Sequence, residues 1–425
     1  MGFVAHPVNT YPEQYELVAR PAQTPPQDLV VATTYGFLIS HDGGVTWRWG
    51  CEAGFGVVDA WAPEYELTSS GAITATTAGG LMRSPDGCTW TAVGGAAGTD
   101  VASTTAVGAD GTIFLGSGVS PAVILRSIDD GLTFQPTGAL GDNLDWIETI
   151  AVAPSNAMRV YATGSAFVGA RQLRMWRSDD GGTSWVPLAT AALLPTESSE
   201  LQIAAIDPDT PDRVFVRVTN AAAVLEEAVF RSDDAGAGWT EVLRVSDNVT
   251  GVVARASGPV VAATRHNGLH GSLDGAGALA LLPGRTFTAT CLQELRDGQL
   301  WLCADNFGAD RMGLGRSSDA EAWTPVMTML DLAGPIPCAA GTVQADDCNR
   351  GAWCFYKDLY SIPSDEVSCV APDAGIGGDD PPPGCIDCSS GGKGATSTWI
   401  LVIAALVVRA GAARCARAHG RRSRK

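Results

Sequence analysis

Lysine is nearly missing from this chain: of 28 basic side chains in 425 residues only three are Lys, against 46 Asp and Glu. The formal net charge of -18 is divided unevenly. Residues 1–408 carry all 46 acids and 21 bases, or -25, and residues 409–425 carry seven Arg or Lys. No basic face with interleaved aromatics occurs, and an acidic body repels phosphate backbones, which excludes nucleic acid as a partner. The acidity itself serves solubility. There is no G-x-S-x-G elbow, no phosphate-cradling Gly loop and no Cys/His nucleophile pair, so no motif marks an acyl-transfer or nucleotide site. The first residues, MGFVAHPVNTYPEQ, lack the basic and apolar regions of a signal peptide. Charged residues make up only 17%, whereas Gly 50, Pro 24 and 45% apolar residues favour many short strands and tight turns. The expected fold class is all-β.

What is present is one octet, written seven times. The copies are SHDGGVTW (Ser40, Asp42, Gly44, Trp47), SPDGCTW (Ser84, Asp86, Trp90), SIDDGLTF (Ser127, Asp129, Gly131, Phe134) and SDDGGTSW (Ser178, Asp180, Gly182, Trp185). SDDAGAGW (Ser232, Asp234, Gly236, Trp239), SLDGAGAL (Ser272, Asp274) and SSDAEAW (Ser317, Asp319, Trp323) follow. Successive Ser residues are 44, 43, 51, 54, 40 and 45 positions apart, close to the length of a four-stranded propeller blade. Around the fourth copy stand IETIAVAP, RVYATG, LRMWRS and WVPLA; around the fifth, LQIAAIDP, RVFVRV, AVFRS and WTEVLR. Each is a β-branched or aromatic run bounded by Pro, Asp, Asn or Gly, hence a strand. Seven units of four strands predict a seven-bladed β-propeller, a ring that leaves only short, protected edges. The octet falls between the third and fourth strands. There Ser and Asp can hold backbone N–H groups, Gly can take unusual angles, and the closing aromatic can bury its ring.

These residues resemble the Asp-box, or bacterial neuraminidase repeat, S-x-D-x-G-x-T-W. The resemblance implies a structural hairpin away from any active site. Three copies depart from the pattern: SPDGCTW and SSDAEAW are one residue short, and SLDGAGAL has Leu279 in place of the aromatic. Those hairpins are expected to be tighter or less well packed. Asp179 and Asp180 do not read as a catalytic pair, since similar acids recur in every unit. Calcium would need more oxygen ligands and a bidentate Glu. Sialidases and sortilin-like proteins share the repeat, but the early Arg-Ile-Pro of sialidases is missing. Xyloglucanase-type hydrolases resemble two facing propellers, and this chain has one. Glycoside hydrolysis requires two carboxylates about 5–10 Å apart, a criterion that selects nothing among 46 acids. Glu148, Asp207 and Asp305, outside the octets, are expected to cap turns or face solvent. His266 and His270 have no third ligand at metal spacing, and no cofactor is expected.

Eleven Cys fall into groups. Cys291 and Cys303 flank a turn centred on Asp297 and face each other across a hairpin, a separation that permits a disulfide. Cys51 follows the first octet and Cys88 sits within the second, an arrangement expected to staple adjacent blades. Cys338, Cys348, Cys354 and Cys369 cluster after the ring without C-x-x-C pairs, which favours disulfides over zinc and an oxidising compartment. Export would require a signal peptide, so the true start is expected upstream of Met1.

The C-terminal region changes character. APDAGIGGDDPPPG is a Pro, Gly and Asp linker with no core-forming residues. Then come Cys385 and Cys388, the ten-residue apolar run Trp399–Val408, and an Arg-rich end. This segment resembles the MYXO-CTERM tails of myxobacteria, which implies a sorting protease, processing at Cys385 or Cys388, and transfer to the cell surface. Ten apolar residues, even extended to Ala413 past Arg409, are short for a stable span. An ordinary single-pass anchor is the alternative, and the terminal charge fits a cytoplasmic end.

The expected organisation is thus a propeller over 10–332, a disulfide-rich cap over 333–370, a linker over 371–384 and a sorting or membrane tail over 385–425. The expected function is an exported, surface-anchored, non-catalytic module that binds a glycan or protein at the channel. The alternatives are a glycoside hydrolase and a structural envelope component.

Overall fold

The computed structural model describes residues 14–369, apart from 57–60, 142, 169, 194–197, 221–225, 257, 276, 285, 365 and 368. The linker, Cys385, Cys388 and the rest of the tail lie outside the described residues. Seven antiparallel sheets follow one another along the chain, each built from four consecutive strands, and form a seven-bladed β-propeller. The first blade comprises Gln14–Ala19, Leu29–Thr33, Gly36–Ser40 and Arg48–Gly50. The second begins at Tyr65–Leu67 and the third at Ala102–Val107. The fourth is Trp146–Ala153, Asn156–Val168, Ala170–Ser178 and Val186–Pro187. The fifth is Ser198–Ile206, Val214–Asn220, Glu226–Ser232 and Thr240–Val245. The sixth is Val249–Ala254, Val260–Thr264, Gly268–Ser272 and Ala280–Leu281. The seventh is Cys291–Glu294, Leu300–Cys303, Leu314–Ser317 and Thr324–Met327.

First strands of successive blades approach one another round the ring and line its axis. Second strands have a strand on each side and a sheet over each face. LVVAT, ITATT, IFLGS, VVAAT and LWLC are accordingly buried at every position, which explains their unbroken runs of apolar and small residues. The described core falls into seven hydrophobic clusters, one at each seam between neighbouring blades. Each octet's closing residue belongs to the seam with the preceding blade. Trp47 packs with Trp301, Trp185 with Phe114 and Ile124, and Trp323 with Val261 and Leu269. A buried aromatic of this kind contributes about 2–3 kcal/mol.

The ring closes through the residues that follow it. Gly334–Pro335 adds a fifth, parallel strand outside the first blade, pairing Gly334 with Arg48 and Pro335 with Trp49. A wide-turned helix, Gln344–Ala352, and an α-helix, Trp353–Tyr360, then pack on the first and last blades. Trp353 lies 5.8 Å from Trp49 between ring centroids, and Tyr360 stacks on Phe307 at 5.6 Å. Cys291 and Cys303 are directly opposed and bonded within the seventh blade. The expected staple between adjacent blades at Cys51 and Cys88 is not what forms. Cys51 bonds Cys348 and Cys88 bonds Cys338, while Cys354 bonds Cys369. The reason is the path of residues 334–348, which run along the outer strand of the first blade and bring their own thiols to both sites.

Candidate functional site

The antiparallel order divides the turns between two rims. Turns joining first to second and third to fourth strands share one rim, and all seven octets lie there. In the fourth octet Ser178 Oγ donates to Asp180 Oδ1 at 2.8 Å and accepts from Gly182 N at 2.8 Å, and Asp180 Oδ1 accepts from Ser184 N at 2.8 Å. The same set holds the first, third and fifth octets through Ser40 and Asp42, Ser127 and Asp129, and Ser232 and Asp234. Ser272 and Asp274 bond at 2.9 Å in the sixth. The first, third, fourth and fifth octets place two successive residues at positive φ, as Gly181 at 66° and Gly182 at 88°. The short copies keep only one, Gly87 at 72° and Ala320 at 61°, yet Ser84 with Asp86 and Ser317 with Asp319 still close the turn. In the third octet these hydrogen bonds favour the carboxylate: Thr133 and Ser127 pull Asp129 down to about 2. The acids that first suggest chemistry are thus engaged in their own hairpins.

A second repeat on this rim was not read from the sequence. Arg precedes Ser in five octets, at Arg83, Arg126, Arg177, Arg231 and Arg316. Arg83 reaches the next blade and binds Asp130 at 2.7 Å. Arg177 donates to the Ala235 carbonyl at 3.1 Å, and Arg231 donates to that of Gly275. Where no such Arg exists, one at the end of a first strand substitutes: Arg20 donates to Ser69 O and Arg255 to Ser318 O. Planar, multidentate guanidinium suits this bridging, which an ammonium cannot copy. The R-S dipeptide is the signal that marks it.

The opposite rim is irregular. The hairpin between the second and third strands of the fourth blade has the longest paired stretch of its kind among the described residues, pairing Ser165 with Leu173 and Phe167 with Arg171. Phe167, beside the tip of this hairpin, is 63% exposed. Beneath it Glu148, expected at a turn or in solvent, is instead buried, bound by Ser165 Oγ at 2.6 Å and by Arg171. Trp61 and Trp146, 6.4 Å apart, are half-buried near this rim.

Three more carboxylates, Glu16, Glu64 and Glu66, sit on the axis-lining strands of the first two blades, partly reached by solvent and otherwise enclosed by protein. An inner strand leaves backbone N–H groups unpaired along its edge. Glu16 accepts from Tyr65 N at 3.4 Å and Glu64 from Thr105 N at 3.0 Å, so each satisfies the next blade. Thr149 does the same for Ile203 N at 3.0 Å. Burial, then the charge of Glu64, pushes Glu66 up to about 8. Burial also raises Glu16 and Glu64, and it lifts Glu52, in the turn after Cys51, to about 8. The sequence did carry a signal for these: Tyr-Glu-Leu occurs twice, at Tyr15–Leu17 and Tyr65–Leu67, with an acid in an otherwise apolar inner strand.

Asp207 caps a turn, accepting from Asp209 N at 2.9 Å, as does Asp305 from Phe307 N at 2.9 Å. His266 is exposed beside Asp247, at 3.1 Å, while His270 is buried in a strand. Among the described residues no group of three or more His, Cys, Asp or Glu is arranged to hold a metal ion. A cavity of about 430 Å³ lies beside the Cys88–Cys338 bridge, lined by His41, Arg48 and Thr342. Another of about 370 Å³ lies on the outer wall between the fifth and sixth blades.

No protein-family model matches the chain, and no curated protein does. Among solved structures it is similar to the extracellular domain of BT4673 from B. thetaiotaomicron, with 11% identity and a TM-score of 0.48 over 72% of this chain. It spans only 39% of that domain's length. YCF48 from Cyanidioschyzon merolae is 14% identical, with a TM-score of 0.48 over 72% of this chain and 95% of its own. The GH74 xyloglucanase from Xanthomonas campestris is 15% identical, with a TM-score of 0.33 over 71% of this chain and 69% of its own.

Proposed function

We propose that the chain is an exported, non-catalytic binding module that holds a glycan or protein ligand on the rim opposite the octets, around the projecting hairpin of the fourth blade. The observation that carries this reading is the engagement of the acids near that rim. Glu148 is neutralised by Arg171, and Glu16 and Glu64 serve backbone N–H groups of the next blade. Four disulfides support an oxidising compartment. In the same proposal the Asp-box repeat names the hairpins, and the MYXO-CTERM-like tail is cut by a sorting protease at Cys385 or Cys388 after passing through the membrane by residues 399–413. The product is displayed on the surface of a myxobacterium-like cell.

A glycan array and a surface-protein pull-down, each followed by titration, test the reading. One saturable ligand is expected, bound at least tenfold more weakly by Phe167→Ser. A protein with no saturable ligand is a structural envelope component instead. A second reading, glycoside hydrolysis, is favoured by one observation. Glu64 and Glu66 are two residues apart on an extended chain, about 6.6 Å, and Glu66 is held protonated at neutral pH, as a general acid requires. That reading requires turnover of a chromogenic sugar that Glu66→Gln abolishes, and an inert wild-type protein rules it out.

A further inference from the structure

Two disulfides tie the C-terminal clasp to the ring, and they differ in access. Cys51 is 5% and Cys348 2% exposed, and both belong to the core under the clasp. Cys88 and Cys338 are only half-buried, and both line the cavity of about 430 Å³ that opens between the clasp and the first two blades. Exposed Thr89, Pro337 and Ala339 stand on its wall. Cys291–Cys303, within the seventh blade, is as buried as the inner anchor. Cys354–Cys369 is half-buried too, but it closes a short loop inside the clasp and fastens nothing to the ring. A thiolate must reach a disulfide sulfur in order to attack it, so a reagent in solution meets Cys88–Cys338 before it meets either buried bond.

The bond holds a loop that is fixed independently at both of its ends. On one side Gly334–Pro335 pairs with the first blade and Ile336 N donates to Trp49 O at 2.8 Å. On the other, Gln344 Oε1 accepts from Cys51 N at 2.9 Å, next to the buried Cys51–Cys348 anchor. Between them, the hydrogen bonds of residues 337–343 close within 336–346. Cys338 N donates to Ile336 O at 2.9 Å, Thr342 Oγ1 to Ala339 O at 2.8 Å and Gly341 N to Asp346 Oδ2 at 2.8 Å. Among all these bonds the disulfide alone joins the loop to the second blade. Cys88 is placed by its own hairpin, its N–H donating to Asp86 Oδ1 at 2.8 Å. Opening the bond therefore leaves the hydrogen bonds on both sides of it intact.

We propose that Cys88–Cys338 is a thiol–disulfide exchange site whose co-reactant is a dithiol. One thiolate of the dithiol bonds to the sulfur of one cysteine, the Cys88–Cys338 bond breaks, and the other cysteine leaves as a thiolate that takes up a proton. The second thiolate of the dithiol then bonds to the first, displacing the cysteine it held, which takes up the other proton. Two electrons and two protons pass to the protein, and the dithiol becomes a disulfide. In the product, residues 337–343 are free of the second blade while Cys51–Cys348 keeps the clasp on the ring. The site lies on the octet side, away from the rim of the proposed ligand, and does not depend on that reading.

The test is limited reduction of the full, folded chain by dithiothreitol at about pH 8, where a free thiol is partly ionised. Samples are quenched by alkylation at intervals and read by peptide mass spectrometry. Cys88 and Cys338 are expected to be alkylated at least tenfold faster than Cys51, Cys348, Cys291 and Cys303, with the far-UV circular dichroism unchanged. Elastase is expected to cut within residues 337–343 at least tenfold faster once that bond is open. Thr89→Trp and Ala339→Trp, which place a ring on the cavity wall, are expected to slow alkylation of Cys88 and Cys338 about tenfold without lowering the melting temperature. Alkylation of all these cysteines at one rate, in step with unfolding, overturns the proposal. So does earlier opening of Cys51–Cys348, or loss of the circular dichroism signal when Cys88–Cys338 alone is open. Unchanged rates in both Trp variants also overturn it, by removing the role of the cavity.

Discussion

The two rims of the ring carry the same kind of turn and obey different rules. On one, the octets repeat nearly the same hydrogen bonds, and arginines join blade to blade at five seams among the described residues. On the other, hairpin lengths vary, one aromatic is held out to solvent, and a buried acid has its own cation. Repetition on the first rim stabilises the ring locally and leaves little to evolve; irregularity on the second is where a ligand-specific surface can be built. A family resemblance carried by the octets therefore speaks for the architecture and is silent on the ligand.

Four perturbations sharpen the contrast. The largest effect is expected where the C-terminal segment clasps the ring. The Cys88–Cys338 and Cys51–Cys348 bonds span 250 and 297 residues, and replacing either pair by Ala should cost about 2–5 kcal/mol in denaturant titration. Next is Ser178→Ala on the regular rim, which leaves the buried Gly182 N–H without its acceptor and should cost about 1–3 kcal/mol. Arg231→Ala removes one bridge between the fifth and sixth blades and should cost about 1 kcal/mol. Equal costs for Ser178→Ala and for Phe167→Ser, on the irregular rim, would erase the distinction between the rims. The last perturbation is pH. Glu52 and Glu66, both raised to about 8, favour the protonated form when folded, so their contribution is full below about 4.5 and is lost as pH rises through 8. Melting temperature should therefore be lower at pH 9 than at pH 6, and Glu66→Gln should reduce that difference.

Blade number, strand order and the position of each octet were legible in the sequence because they rest on local patterns: turn residues, β-branched runs and a period. The Cys291–Cys303 bond was legible for the same reason, since a short hairpin sets its register. Closure was not. The partners of Cys51 and Cys88 lie hundreds of residues away, and only the course of residues 334–348 along the first blade decides the pairing. Glu148 was misjudged because an acid in a strand says nothing about an arginine 23 positions on; hairpin register brings Arg171 over it. Leu279 marks its hairpin as less well packed in the sequence, yet it is buried at the seam between the fifth and sixth blades, a placement no one-dimensional pattern shows.

Every one of the seven blades is made of four consecutive strands, and the late strand at Gly334–Pro335 is added outside the first blade rather than woven into it. A whole unit can therefore be duplicated or deleted without leaving any sheet short of a strand. In such a lineage the number of blades is limited by the curvature of the ring and the reach of its terminal clasp, and each new copy arrives free to change its closing aromatic.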